Sequence, residues 1–143
     1  MIRPINNHDM DQVLDIWLGA SIQAHAFIDE QFWRAQRDAM RSVYLPAASS
    51  FVFEREGAIA GFYSLYGDAL AALFVHPDSQ GAGIGSLLVA HAKSGRDRLE
   101  LAVYSANRAA RRFYERHGFV AIDERLDAHT GHPETLMRWP ASP

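Results

Sequence analysis

The chain contains no cysteine in 143 residues, which excludes disulfides, thiolate metal sites and a cysteine nucleophile. It has no apolar run near the ~20 residues that a bilayer-spanning helix needs. No charged-then-apolar leader opens it. The expectation is a cytoplasmic protein that engages no membrane. A surplus of either charge is also missing. Charged residues are 22% and the formal net charge is -3, a balance that argues against nucleic acid as an electrostatically held partner. No internal repeat, low-complexity tract or linker divides the sequence. With 48% hydrophobic residues, a chain of this length suits one domain, 1–143, around its own core.

What the chain does have is a glycine-rich run, Val75-His76-Pro77-Asp78-Ser79-Gln80-Gly81-Ala82-Gly83-Ile84-Gly85-Ser86-Leu87-Leu88. It reads as a strand end, a turn and the first turn of an amphipathic helix. Such a turn leaves several backbone N–H groups unpaired at the positive end of a helix dipole, a setting for phosphate or pyrophosphate. A P-loop would require Gly-Lys-Ser/Thr, and Gly85 is followed by Ser86 and Leu87. A dinucleotide fingerprint would require a third glycine where Ser86 stands, and an early β-α-β unit. A ligand-free connection between strand and helix is the plain alternative.

Around this run, hydrophobic periodicity and turn signals predict the order β-α-α-β-β-β-α-β-α-β-β, a mixed α/β (α+β) single sheet. Ile2 to Ile5 is a short first strand. Asn6 or Asn7 caps a helix whose apolar positions are Met10, Val13, Leu14 and Trp17. Asp29 caps a second helix through Trp33 and Tyr44, stopped near Pro46. Phe51–Phe53 and Ile59–Leu65 are strands joined by a hairpin at Glu54–Gly57. Ala69 to Val75 is apolar on both faces and is expected to be central and buried. Leu99–Val103 is a fifth strand. Ser105 to His117 is a helix capped by Ser105, with Gly118 past its end. Phe119–Ile122 and Thr135–Trp139 close the sheet.

The spacing Gln80-x-x-Gly83-x-Gly85 after a buried strand resembles the acetyl-CoA motif of the GNAT N-acetyltransferase superfamily. The later stretch from Asn107 through Ala110 and Phe113-Tyr114-Glu115 to Gly118-Phe119 resembles its second motif. The likeness covers nearly the whole chain. His25-Ala26-Phe27-Ile28, with Trp33, Tyr44-Leu45-Pro46 and Trp139, is further similar to a group of small bacterial members. The resemblance implies the GNAT acyl-CoA N-acyltransferase fold. It also implies transfer of an acetyl group from acetyl-CoA to a primary amine by direct attack in a ternary complex, with no metal. The acceptor would be a protein lysine, an N-terminus or a small amine, and the protein a monomer or homodimer. An acyl-CoA-binding sensor or interaction module without catalysis is the competing class.

Under that resemblance the pyrophosphate is held by backbone of Gln80, Gly81, Ala82, Gly83, Ile84, Gly85 and Ser86, with Gly83 and Gly85 lacking a Cβ to allow close approach. The pantetheine arm pairs with backbone at Leu73, Phe74 and Val75 as an added strand would, and an N–H near Leu73 or Phe74 serves the oxyanion. Tyr114, a phenol protonated at neutral pH, is the acid for the departing thiolate, and Asn107 shares its helix face two turns earlier. Arg111 or Arg112 is the expected phosphate contact. His25, Phe27 and Tyr63 are acceptor-side candidates. For deprotonating the amine, Asp68, Glu100, His25 and a water relay stay open. His91 is expected to be packed, and His129-x-x-His132 lacks the spacing and third ligand of a catalytic zinc site.

Overall fold

In the computed structural model, which describes residues 1–141, seven strands form one mixed sheet. They are β1 (Ile2–Pro4), β2 (Ser49–Arg55), β3 (Ala58–Tyr66), β4 (Ala69–Val75), β5 (Leu99–Tyr104), β6 (Val120–Leu126) and β7 (Pro133–Trp139). Their spatial order is β1-β2-β3-β4-β5-β7-β6. Helices α1 (Met10–Ala24), α2 (Glu30–Ala39) and the one-turn α3 (Leu45–Ala47) precede β2; α4 (Ile84–Lys93) follows β4, and α5 (Arg108–Arg116) follows β5.

Polar residues at the element ends explain where these begin. Asn6 accepts the His8 N–H and Asp9 accepts the Asn6 N–H, a reciprocal capping box ahead of α1. Arg3 on β1 grips Asp9 at 2.8 and 2.9 Å and Glu54 on β2 at 2.7 Å, which ties the first strand, the α1 entry and the second strand together. Asp29 caps α2 through the Gln31 N–H. The second helix does not stop ahead of Pro46: a π-turn at Met40–Tyr44 carries it into α3. Pro46 sits in that helix's first turn, where its missing N–H removes no hydrogen bond.

The sheet separates two apolar clusters. One packs Val13, Leu14 and Trp17 of α1 and Trp33 of α2 on Val52 and Phe62. The other packs Leu88 and Val89 of α4 and Tyr114 of α5 on Tyr63, Leu101 and Met137. A buried Leu or Val contributes about 1.5–3 kcal/mol relative to exposure, so both faces hold the sheet in place.

β4 lies at the middle of the strand order, as its sequence predicts, but it is not buried throughout. Leu70 is buried, Ala71 is exposed, and residues 72–75 are half-buried. The reason is the neighbour. β3 pairs with β4 along its length, from Tyr66↔Ala69 to Gly61↔Val75. β5 runs parallel to β4 and pairs with it only at Ala69↔Glu100. Beyond that rung the two strands separate.

Candidate active site

The separation opens a groove of about 680 Å³ between β4, the glycine turn and α5. Strand parity decides which backbone groups face it. The His76 N–H donates to the Ala60 carbonyl, so in the antiparallel alternation Phe74 pairs with Phe62, while Leu73 and Val75 point their N–H and C=O groups the other way, into the groove. On the opposite bank the Ser105 N–H bonds Pro133 and the Glu100 N–H bonds Asp68. By the same alternation Ala102 and Tyr104 face the groove from β5. Phe74 therefore lends the groove its position rather than its backbone hydrogen bonds. Its ring lies 5.9 Å from Phe62, in the α1–α2 cluster.

The glycine turn forms one end. His76 accepts the Asp78 N–H and starts a 3-10 turn over Pro77–Ser79. Gly81 (φ 86°) and Gly83 (φ 82°) then adopt left-handed backbone, which L side chains resist. Gly83 is the N-cap of α4 and supplies no side-chain cap. Among the described residues no backbone acceptor engages the N–H groups from Gln80 to Ser86, so they stand free at the positive end of a ten-residue helix. The Gln80 amide donates to Gln23 of α1 (3.2 Å) and to the Val75 carbonyl (3.3 Å), fixing the turn to the end of β4. Gln80, Gly81, Gly83, Ile84, Gly85 and Ser86 line the groove; Ala82 does not. Gly85 has a different reason to be glycine from the one its motif suggests. A Cβ there would meet Phe113 Cζ at 3.2 Å, so it serves the packing of α5 on α4.

α5 forms the other wall. Ser105 does not cap it. That hydroxyl bonds Thr135 at 2.8 Å, and Asn107 caps the helix by accepting the Ala110 N–H at 3.2 Å. Asn107 thus precedes the helix instead of sharing its face, yet it still lines the groove with Tyr114. Tyr114 is 8% exposed. Burial pushes its pKa up, so the phenol stays protonated at neutral pH. Of the arginines on this helix Arg116 lines the groove, in place of the expected Arg111 or Arg112.

Beyond Asn107, the α1–α2 loop meets the end of β5 and the β6–β7 turn in an aromatic cluster. His25 stacks on Trp33 (5.2 Å) and meets Tyr104 edge-on (5.1 Å); Phe27 packs on Tyr104 and His132. Tyr104 donates to Asp127 at 2.7 Å, and its pKa is pushed up to about 12 by burial. Tyr104, Asp127, His132 and Arg116 escape a linear reading. Tyr104 ends a strand whose alternation hints at an inward face, but its partners lie more than twenty residues away in either direction.

Tyr63 does not belong to this region. It is 1% exposed on the α4 side of the sheet, stacked on Phe51, with its hydroxyl 2.6 Å from His91 Nδ1. Asp68 and Glu100 sit where β4 and β5 still pair, about 16 Å along the strand from Leu73. There Asp68 is held by Arg98 at 2.9 Å. Neither carboxylate lines the groove. Among the described residues no group of three or more His, Asp or Glu is placed to hold a metal ion, and no helix is long and apolar enough to cross a membrane.

The site thus sits in a seven-stranded mixed α/β sheet opened between its two parallel neighbours, with free N–H groups at a helix N-terminus on one side and a protonated phenol inside. The family model of the acetyltransferase (GNAT) domain matches residues 46–121. The chain belongs to the GNAT family and is an acetyltransferase. It is 34% identical over 141 residues to the peptidyl-lysine N-acetyltransferase YiaC of Escherichia coli K12, a match that covers 98% of this chain and 97% of that protein. The solution structure of apo-form YjaB from Escherichia coli superposes with a TM-score of 0.86 at 28% identity, over 97% and 96% of the two chains. The PaiA N-acetyltransferase from Thermoplasma acidophilum, solved in complex with coenzyme A, has the same fold, with a TM-score of 0.80 at 18% identity over 96% of each chain.

Proposed function

We propose that this enzyme transfers the acetyl group of acetyl-CoA to the side-chain amine of a lysine in a protein acceptor, by direct attack while both substrates are bound. The observation that carries the reading is the groove itself. It combines a row of unpaired N–H groups at Gln80–Ser86, outward backbone at Leu73 and Val75, and Tyr114 within one opening. The donor contributes the thioester; the residues do the rest.

The N–H groups of the glycine turn hold a pyrophosphate, helped by the α4 dipole. Leu73 and Val75 offer alternate N–H and C=O groups to the amides of an extended arm. The Leu73 N–H is the donor for the negative charge that develops on the acetyl oxygen. Attack by the amine nitrogen forms the C–N bond as the C–S bond breaks. Tyr114 gives its hydroxyl proton to the departing sulfur, and the amine proton leaves through water at the acceptor end. His25 and Phe27 stand at that end with Tyr104, where an amine-bearing chain would enter. The two named relatives, both peptidyl-lysine N-acetyltransferases, support lysine as the acceptor. The enzyme would work in the cytoplasm, where its donor is made.

The test is free-thiol release from acetyl-CoA over lysine peptides, N-terminal peptides and small amines. Turnover on internal lysine peptides is the expected result. Acetyl-CoA binding without release on any amine would instead favour the non-catalytic binding module.

A further inference from the structure

His25 stands behind the groove wall, and its side-chain hydrogen bond goes to Asn107, Nε2 to Nδ2 at 3.3 Å. The Asn107 amide has a defined sense, because its Oδ1 accepts the Ala110 N–H as the cap of α5. Nδ2 is therefore the atom turned to His25. An NH2 group only donates, so Nε2 must accept, and the ring carries its proton on Nδ1. That nitrogen is buried and has no hydrogen-bond partner among the described residues.

The packing holds this arrangement. Trp33 of α2 stacks on the ring, while Tyr104 of β5 and Phe27 of the α1–α2 loop meet it edge-on, so it cannot turn without displacing three neighbours. Tyr104 is the ionisable group in contact with it, and that hydroxyl is turned to Asp127; His132 lies on Phe27. Burial lowers the His25 pKa and keeps the ring neutral. A protonated ring would set Nε2–H against the Asn107 N–H groups, donor to donor.

We propose that His25 is a positioning residue. Its neutral Nδ1–H ring holds the Asn107 amide so that the second N–H of Nδ2 faces the groove, toward a carbonyl of the thioester donor's arm. The role rests on the groove holding that donor. It also links the donor groove to the acceptor-side aromatic cluster through one hydrogen bond.

Two measurements test it. Nitrogen-resolved NMR of the histidine rings in the full ligand-free chain is expected to show His25 protonated at Nδ1 and unprotonated at Nε2 at pH 7. The opposite tautomer, or a charged ring, overturns the proposal. The second measurement compares His25→Gln, whose amide oxygen can accept near the Nε2 position, with His25→Phe, which fills the space without an acceptor. His25→Phe is expected to raise KM for acetyl-CoA about three- to tenfold, the range of one lost hydrogen bond, with kcat within about twofold. His25→Gln is expected to restore KM. In the native enzyme KM rises as pH falls below the ordinary histidine range near ~6.5, and in His25→Gln that rise is gone.

An unchanged KM in His25→Phe overturns positioning. So does a loss of kcat in both variants beyond about tenfold, which would make His25 the base. If His25→Phe fails to fold, the tautomer and the pH dependence of KM in His25→Gln still decide. If the native enzyme releases no thiol with any amine, it is the functional reading that fails, and the tautomer measurement separates the two.

Discussion

Phe113 Cζ stands 3.2 Å from the place a Cβ on Gly85 would occupy, so the Phe113 ring of α5 packs directly on the bare backbone of the first turn of α4. Gly83, two residues earlier, has nothing within 4 Å of the same position but holds a φ of 82°. The two glycines of one motif answer to different forces. Gly85→Val is expected to destabilise the fold by about 1–3 kcal/mol through overpacking, read as a lower urea midpoint. Gly83→Val, with about 1–2 kcal/mol of backbone strain and a side chain aimed into open space, is expected to weaken coenzyme A binding about tenfold or more, read by calorimetry. Equal stability losses with intact affinity in both variants would show that the turn does not hold the pyrophosphate.

Tyr114 is buried and lines the groove, and burial keeps the phenol protonated. Tyr114→Phe is expected to lower kcat by about 10²-fold or more, with KM for acetyl-CoA within about threefold. Steady-state thiol release separates the two parameters. An unchanged kcat removes Tyr114 as the acid.

Tyr63 and His91 share a 2.6 Å hydrogen bond on the α4 side of the sheet, and burial pushes the Tyr63 pKa up to about 12. Tyr63→Phe is expected to lose about 1 kcal/mol of stability and leave KM for the amine acceptor where it was. A raised acceptor KM with unchanged stability would return Tyr63 to the acceptor site.

Asp9 lies under Arg3, whose guanidinium holds its carboxyl below the ordinary carboxylate range, and the Asn6 N–H adds to this. A carboxyl with a depressed pKa in the folded state stabilises the protein above its unfolded value of ~3.9. That contribution is lost as pH falls toward the folded value. Asp9→Asn is expected to lower Tm at pH 7, and the gap to the native protein is expected to close as pH falls below ~3.9. Melting curves across that window check it; parallel Tm profiles would count against the ion pair.

Local chemistry was legible in the chain. The α1 entry at Asn6, the Asp29 cap, the bounds of β4 and the left-handed Gly118 are each set by residues within a few positions. The element order and the acetyltransferase family were legible too, since both motifs lie in continuous segments and the family model spans them. What the chain concealed depends on distant partners. Ala69–Val75 has the composition of a buried strand, and only the divergence of β5, thirty residues on, exposes it. Ser105 is as good a cap as Asn107 by type, but Thr135 engages its hydroxyl. Tyr63 could have faced either side of the sheet. His91 and Phe51 decided it.

The lone rung at Ala69↔Glu100 also bears on how the molecule opens. β1 to β4 and β5 to β7 are each laced by full backbone ladders, and each set is gathered from one side of α4 in the chain. Side-chain packing joins the two halves where the ladder does not: one buried cluster under α4 holds Tyr63 and Leu70 of the first together with Leu101 and Met137 of the second. A donor arm bonded to Leu73 and Val75 would lie where the missing rungs leave the sheet open. Binding there adds its free energy to the stability of the folded sheet, so the melting temperature is expected to rise with donor concentration.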